Sequence, residues 1–288
     1  MMADSLRGDR AAAIESIDKD RRRLIVGAAS RYRPDQMRPF IESLRATGYA
    51  GDVVILVNFW NWQLQSYLRR FGVRPYRMWT TRRIHGPAAT HRYEFYARIA
   101  GESRHRYDEM MVTDTRDVLF QRHPFADLTS SACHYYIEHP TRRIGEEPTN
   151  LRWAKLFLPA DQAAAVSRHR VSCCGIVIGG MTAMDAYLTR MAADLEAVPL
   201  RNRRLGGADT TLHQRLVFLD GGVPGAVMEN NVHVATMGLE PEATYRVGDD
   251  GVVRTVDGHV PAILHQYDRV PHVNAAIVRR YGGAADGP

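Results

Sequence analysis

The sequence has little of several features that mark large classes of protein. Only three of its 288 residues are cysteine, which excludes a disulfide framework. Cys133, Cys173 and Cys174 also lack the paired C-x-x-C spacing of a zinc site, and they are more typical of buried strand thiols than of a redox centre. No apolar run approaches the roughly 20 residues that span a bilayer, so we expect no transmembrane segment. The glycine-rich loops of kinases and dehydrogenases and the G-x-S-x-G turn of α/β-hydrolases are absent as well.

Basic residues are in small excess and are spread along the chain. Lys and Arg number 38 and Asp and Glu number 32, which gives a net charge of +6 and a pI of about 9.4. The densest basic run is Arg21-Arg22-Arg23, and a nucleic-acid-binding surface usually needs a larger cluster. We therefore expect no nucleic-acid partner, whereas a small anionic ligand such as a nucleotide fits the charge.

The amino terminus predicts a cytoplasmic protein. Residues 1–23 carry acidic as well as basic side chains and lack the apolar stretch of a secretory signal. Hydrophobic residues make up 45% of the chain, which is an ordinary globular composition, and a chain of this length can bury a substantial core. We expect a charged leader over 1–23, a single domain over 24–269 and a carboxyl-terminal tail over 270–288.

Buried strands alternate with amphipathic helices over the first half of the chain. Apolar runs predict strands at 24–30, 52–58, 75–79, 109–113, 134–138 and 175–180, and helical patterns lie between the first four and at 183–198 and 209–218. A loop is predicted over 80–89, and hairpin-like strands over the last 60 residues. This order predicts an α/β fold in which parallel strands are covered on both faces.

The most informative stretch directly follows the fourth predicted strand. It reads Val112-Thr113-Asp114-Thr115-Arg116-Asp117-Val118. Ligands of open α/β sheets bind beyond the carboxyl ends of the strands, and two carboxylates spaced across a turn can hold a divalent cation that grips a diphosphate. The same residues also fit a plain turn, in which Asp114 and Asp117 cap the backbone or pair with Arg116. Spacing alone leaves both interpretations open.

Here the chain resembles a known family. Asp114 to Gln121, followed by Pro124-Phe125, resembles the D-x-D-type motif of GT-A fold glycosyltransferases, in the TDxRDVxFQxxPF form related to the glycosyltransferase family 8 group. Five further segments resemble that group in the same order along the chain. They are Arg92-Tyr93, Asn150-Leu151-Arg152-Trp153, Ser172 to Gly180, Gly207-Ala208-Asp209-Thr210 and His265-Gln266-Tyr267-Asp268-Arg269.

The resemblance implies a fold and an activity. The fold is a Rossmann-like mixed sheet of the GT-A type with helices on both faces, divided into a nucleotide-binding half (24–121) and an acceptor-binding half (122–269). The activity is metal-dependent transfer of a sugar from a nucleoside-diphosphate donor, UDP-sugar by analogy, to an unidentified acceptor with retention of configuration. The implied cofactor is Mn²⁺ or Mg²⁺, which offsets the negative charge that develops on the leaving diphosphate.

The resemblance also implies roles for individual residues. Asp114, Asp117 and His265 are the implied metal ligands, and His265 otherwise reads as a hydrogen-bonded histidine at a strand end. Asp209 is the implied catalytic carboxylate that faces the sugar or acceptor, although its place at a helix start also fits an N-cap. The implied nucleotide-sugar contacts are Ala28, Ala29, Ser30, Arg92, Asp114, Thr115, Arg116 and Gly175.

Several interpretations stay open at this stage. Arg92 is either a donor to the nucleotide or a surface helix residue. Trp79 and Trp153 can stack on sugars, but isolated aromatics of this kind more often lie in the core. The chain departs from the family at Arg116, which replaces the second Asp of a strict D-x-D, at Cys174, which replaces an Asn, and at Thr210, which replaces a Gln.

Two other functions remain as alternatives. A sugar nucleotidyltransferase shares the Rossmann-like opening, but Gly27-Ala28-Ala29-Ser30-Arg31 is a poor version of its glycine-rich loop. The second alternative is a non-catalytic sugar-nucleotide-binding protein of the same fold, and the departures at Arg116 and Thr210 are its only support. Release of pyrophosphate, of nucleoside diphosphate or of neither distinguishes the three functions.

Overall fold

The computed structural model describes residues 22–79, 87–126, 128 and 131–282. Its strands are β1 (Arg23–Ala29), β2 (Asp52–Asn58), β3 (Arg74–Met78), β4 (Glu109–Thr113), β5 (Val118–Phe120), β6 (Cys133–Ile137), β7 (Ser172–Gly180), β8 (Gly225–Met228), β9 (Val234–Thr236), β10 (Tyr245–Val247), β11 (Val253–Thr255) and β12 (Ile263–His265). Its α-helices are α1 (Pro34–Ala46), α2 (Trp62–Arg70), α3 (Ala88–Ser103), α4 (Pro148–Phe157), α5 (Ala160–Val166), α6 (Met181–Ala197), α7 (Leu200–Arg203), α8 (Ala208–Arg215) and α9 (Pro271–Tyr281). Residues 1–21 of the predicted leader and 80–86 of the predicted 80–89 loop lie outside the described residues, and the last leader residue, Arg23, belongs to β1.

Within the described residues, seven strands form a mixed sheet in the order β3-β2-β1-β4-β7-β6-β8. Strand β1 pairs in parallel with β2 on one side and with β4 on the other, and β2 pairs in parallel with β3. The carboxyl ends of these four strands therefore meet at one edge of the sheet. The parallel arrangement predicted for the first half of the chain is confirmed.

Strand β7 is the exception, because it runs antiparallel between β4 and β6. Its residue Ile176 lies beside Thr113 of β4, and Val177 lies beside Tyr135 of β6. The start of β7 is consequently placed at the same edge as the ends of β4 and β6. Sequence patterns did not indicate this reversal.

The two faces of the sheet are covered by different elements, because alternate residues of each strand point to opposite sides. Leu24 and Val26 pack with residues of α3, α6 and α8, whereas Ile25 packs with α1, α2 and the smaller β5-β12-β9 sheet. The predicted α/β class, a Rossmann-like mixed sheet with helices on both faces, is confirmed. No helix in the described residues combines the length and the apolar character needed to cross a membrane.

The end of the chain is more ordered than the sequence indicates. Residues 271–281 form α9, and its buried Val273 and Ile277 pack in a third apolar cluster with Tyr245 and Val253 of the β10-β11 hairpin. The predicted domain limit at residue 269 therefore omits a helix that contributes to a core. Only the last six residues, 283–288, lie beyond the described part.

The tryptophans lie outside the core, contrary to the prediction for Trp79 and Trp153. Trp60, Trp62 and Trp79 are more than half exposed and cluster around Phe59, with ring centroids 4.9 to 6.3 Å from its own. Trp153 is half-buried and lines a cavity. All four tryptophans of the chain are thus at a surface or a cavity wall.

Candidate functional site

A cavity of about 620 Å³ opens at the carboxyl edge of the central sheet. Strands β1, β4 and β12 contribute their carboxyl ends or the turns after them, β7 contributes its first residues, and α3, α4 and α8 contribute their amino-terminal turns. The structure brings ten of the eleven predicted site residues to its walls. These are Ala28, Ser30, Arg92, Asp114, Thr115, Arg116, Asp117, Gly175, Asp209 and His265.

The exception is Ala29, whose prediction as a nucleotide contact is wrong. Ala29 is fully buried in the apolar cluster on the opposite face of the sheet, together with Phe40 and Leu64. Consecutive residues of a strand alternate between faces, so Ala28 and Ser30 can both line the cavity only if Ala29 points away.

Asp114, Asp117 and His265 form a compact cluster at the centre of the cavity. One ligand atom from each lies within 4.8 Å of those of the other two, and His265 Nε2 is 3.5 Å from Asp114 Oδ2. His265 Nε2 is buried and accepts or donates no hydrogen bond within the described residues. Two carboxylates and an imidazole are a donor set that suits a divalent cation, so these residues fit the implied Mn²⁺ or Mg²⁺.

The backbone explains why these distant residues meet. Asp114 follows β4, and its amide donates to the carbonyl of Gly175 at 2.7 Å. His265 ends β12, and the next residue, Gln266, has a positive φ of 57° and donates its amide to the carbonyl of Asp117 at 2.9 Å. Each of the three proposed ligands is therefore held by main-chain bonds in or next to its own residue.

Gly175 is the point at which the cluster is most tightly packed. A Cβ atom there would lie 2.6 Å from His265 Cε1 and 2.7 Å from Asp114 Oδ2, distances that real contacts do not show. The glycine therefore serves the site by leaving room for the other two side chains. That Gly175 contacts the nucleotide stays a prediction. Because the residue has no side chain, such a contact would come from its backbone.

Cys173 is a site residue whose role the sequence did not predict. Its Sγ lies 3.3 Å from His265 Nδ1, and the amide of Gly175 donates to the same sulfur at 3.3 Å. With Nδ1 held in this way, Nε2 is the nitrogen that faces Asp114. Such supporting contacts commonly fix the orientation of a histidine ligand.

Burial and charge act against each other in this cluster. Burial raises the pKa of Asp114, but the Arg92 guanidinium and His265 outweigh that effect and hold the pKa well below its ordinary value. The pKa of Asp117 is raised by burial and by the charge of Asp114. Burial lowers the pKa of His265, but Cys173 and Asp114 more than compensate, so the net shift is upward.

Arg92 is a buried link between two carboxylates, not a surface helix residue. Its Nη1 donates to Asp114 Oδ1, and its Nη2 lies 3.6 Å from Asp209 Oδ2. Only 8% of Arg92 is exposed, and its Nε has no hydrogen-bond partner within the described residues. The guanidinium thus fixes Asp209 relative to the Asp114 cluster.

Asp209 is not the N-cap of its helix. Helix α8 is capped by Gly207, which has a φ of +80°, and Asp209 is the second residue of the first turn. Its side chain is only 9% exposed and faces Arg92 inside the cavity. Burial raises the pKa of this carboxyl despite the nearby guanidinium.

Arg116 and Thr115 support the turn between β4 and β5. Arg116 Nη2 lies 2.9 Å from Asp268 Oδ2, so its ion-pair partner is Asp268 and not the neighbouring Asp114 or Asp117. Thr115 Oγ1 donates to the carbonyl of Ala28 at 2.8 Å, which ties the end of β4 to the end of β1. The alternative in which the two acids pair with Arg116 is therefore wrong.

The cavity has a further wall, of which the sequence indicated Asn150 and Trp153 but not Glu138 and Glu147. Glu138 follows β6, while Glu147, Asn150 and Trp153 belong to the cap and first turns of α4. Burial raises the pKa of Glu138 to about 7. The strand before Glu138 was predicted, but only its pairing with β7 shows that it ends beside the Asp114 cluster.

Comparisons with known proteins give no family assignment for this chain. A scan against models of protein families finds no match, and a search of curated proteins finds no significant relative.

Proposed function

We propose that the protein is a metal-dependent glycosyltransferase that moves a sugar from a nucleoside-diphosphate donor to an acceptor hydroxyl. The observation that carries the proposal is the meeting of Asp114, Asp117 and His265 at the carboxyl edge of a Rossmann-like sheet. Nucleotides bind at this edge in open α/β folds, and the sequence around all three residues resembles the motifs of GT-A enzymes. UDP-sugar is the proposed donor.

The chain's own residues divide the work between donor and sugar. Asp114, Asp117 and His265 would hold Mn²⁺ or Mg²⁺, which supplies positive charge to the leaving diphosphate. Ala28 and Ser30 at the end of β1, with Thr115 tied against them, form the side of the cavity available to the nucleotide. A volume of about 620 Å³ is in the ordinary range for a site that encloses a small-molecule ligand.

Arg92 and Asp209 lie next to the Asp114 cluster, and we assign them to the part of the cavity that holds the sugar. Because the Arg92 guanidinium contacts Asp114 and lies 3.6 Å from Asp209, it holds the Asp209 carboxylate on the same side of the cavity as Asp114. Asp209 is therefore the residue that we assign to the transferred sugar or the attacking hydroxyl. A positioned polar group of this kind typically contributes on the order of 10²-fold to a rate.

The test measures UDP binding and product release with and without metal. We expect UDP to bind in Mn²⁺ and not in excess EDTA, and we expect at least one of a panel of UDP-sugars to release UDP. Asp114→Asn should weaken UDP binding by at least tenfold, because it removes a charged ligand and the partner of Arg92. Asp257→Asn, an exposed carboxylate outside the cavity, is the matched control and should bind normally.

Two results would contradict the proposal. UDP binding that is unchanged by EDTA would contradict the role proposed for a metal ion. Release of pyrophosphate from a nucleoside triphosphate and a sugar phosphate would identify a nucleotidyltransferase instead.

A further inference from the structure

The wall formed by Glu138, Glu147, Asn150 and Trp153 takes no part in the donor site described above. Within this wall, Glu138 lies on the other side of β7 from Asp114, because β7 separates β4 from β6 in the sheet. Neighbouring strands are about 4.8 Å apart, so two strand spacings place Glu138 roughly 10 Å to the side of Asp114. That distance is wide enough for a sugar ring between the two carboxylates.

Hydrogen bonds hold the backbone of Glu138 in place, while its carboxylate is available to a ligand. Its amide donates to the carbonyl of Val171 at 2.9 Å, and its carbonyl accepts from Asn230 Nδ2 at 2.9 Å. Its carboxylate, in contrast, has no hydrogen-bond or ion-pair partner within the described residues, although the side chain is half-buried in the cavity wall. Because the carboxylate lines the cavity and has no partner in the described part of the chain, its oxygens are available to accept hydrogen bonds from a ligand.

Glu147 is held beside it by the start of α4. Its Oε2 accepts from both the amide and the Nδ2 of Asn150, each at 2.7 Å. Asn150 Oδ1 in turn accepts from Gln214 Nε2 at 3.0 Å. This chain of bonds fixes a second hydrogen-bond acceptor on the same wall.

Trp153 completes the wall with a flat apolar surface. Its ring lies directly against Gly207, where a Cβ would approach Trp153 Cδ2 to 2.1 Å. Gly207 also starts the helix that carries Asp209, so the indole is set beside the carboxylate assigned to the reacting sugar. The rest of the ring lines the cavity.

We propose that this wall binds a carbohydrate acceptor, with Trp153 stacked on one face of a sugar ring and Glu138 accepting a hydrogen bond from a hydroxyl of that sugar. The polarised C–H groups of a pyranose face are complementary to the negative face of an indole. Adjacent hydroxyls are donors that match the acceptors of Glu138 and Glu147. A fatty alcohol would need a continuous apolar lining, whereas this wall offers one ring between acids.

The pKa of Glu138 adds to this geometry. Burial raises it to about 7, so the acid and carboxylate forms coexist near neutral pH, and both retain an oxygen that can accept a hydrogen bond. The inference rests on the proposed glycosyltransferase function, because the same cavity holds the donor.

The test is saturation-transfer NMR on the full chain in the presence of UDP and Mn²⁺. The probes are the methyl glycosides of glucose, galactose, mannose and xylose, with a serine-threonine peptide and decanol as non-sugar acceptors. We expect at least one glycoside to receive saturation, concentrated on the C–H protons of one ring face. Trp153→Ala and Glu138→Met, which removes the acceptor oxygens, should each reduce the signal at least fivefold, while the affinity for UDP in Mn²⁺ stays within twofold.

Matched controls separate recognition from folding. Trp79→Ala removes an exposed tryptophan outside the cavity, and Glu102→Met alters an exposed glutamate on α3; both should keep the full signal. Since Trp153→Ala leaves a gap against Gly207, Trp153→Leu keeps an apolar side chain there and removes only the flat face. It should also lose the signal.

Three results would overturn the inference while leaving the proposed function intact. One is normal UDP binding with no saturation of any glycoside. Another is an NMR saturation signal on the peptide or on decanol and on none of the glycosides. The third is a glycoside signal that survives in both Trp153 variants. Failure of the wild-type chain to bind UDP would instead refute the proposed function itself.

Discussion

Gly175→Ala should disrupt the cluster of Asp114, Asp117 and His265 by adding a single methyl group. The new methyl group would lie 2.6 Å from His265 Cε1, 2.8 Å from His265 Nε2 and 2.7 Å from Asp114 Oδ2. Ordinary contacts begin near 3.4 Å, so at least one of these side chains must move by roughly 0.5 Å or more. Neither is free to do so, because Cys173 holds the imidazole and Arg92 holds the carboxylate.

The displacement has two measurable effects. Overpacking of a filled site typically costs about 1–3 kcal/mol in the free energy of unfolding. Metal ligands tolerate shifts of only about 0.2 Å, and disturbing the contacts that orient them commonly lowers affinity by roughly 10- to 100-fold. We therefore expect Gly175→Ala to bind Mn²⁺ at least tenfold more weakly than the natural protein.

Electron paramagnetic resonance of free Mn²⁺ gives the affinity, and urea denaturation gives the stability. The control is Gly101→Ala, since the nearest atom to its new methyl group is 3.8 Å away and the residue lies within α3. That change should leave Mn²⁺ affinity unaltered and stabilise the helix by up to about 1 kcal/mol. Undiminished Mn²⁺ binding by Gly175→Ala would refute the assignment of Asp114 and His265 as ligands.

Three more predictions follow from other contacts of the cavity. Arg92→Met should lower the free energy of unfolding by about 2–4 kcal/mol in urea, because it leaves two carboxylates without their cation, whereas Arg98→Met in an exposed pair should cost less than about 1 kcal/mol. Glu138→Gln should reduce the loss of stability that the protein undergoes as the pH rises. Burial gives Glu138 a folded pKa of about 7 against 4.5 ordinarily, so this one group accounts for a loss of up to about 3 kcal/mol through that window. Urea titrations at pH 5 and pH 8 measure this loss, and an equal loss in the variant would contradict it. Asp209→Asn should lower sugar transfer by roughly 10²-fold with unchanged UDP affinity by calorimetry, and a normal rate would return Asp209 to a purely structural role.

Much of the amino-terminal half of the sheet could be predicted from local sequence alone. The bounds predicted for β2 and β4 match the structure residue for residue, because each is an uninterrupted apolar run between polar turns. Parallel order followed from the helices between the strands. The position of Asp114 at the carboxyl edge was a direct consequence of that order.

Residues whose placement depends on pairing between distant segments were beyond such reasoning. Glu138 belongs to the cavity only because β7 reverses direction between β4 and β6, and no local pattern encodes that reversal. The resemblance implied Ala29 as a nucleotide-sugar contact together with Ala28 and Ser30, but the sequence alone does not show which face of β1 borders the cavity. The N-cap of α8 is Gly207. Its positive φ favours glycine, and a Cβ there would collide with the ring of Trp153.

The placement of the tryptophans determines what their fluorescence can report. Trp60, Trp62 and Trp79 are already in water in the folded state, and Trp153 borders the cavity. Unfolding therefore transfers no fully buried indole into solvent, and the emission maximum should shift much less than in proteins with a tryptophan in the core. Occupation of the cavity, in contrast, changes the surroundings of one indole directly. In this protein, intrinsic emission is a probe of ligand binding, and folding is better followed by circular dichroism.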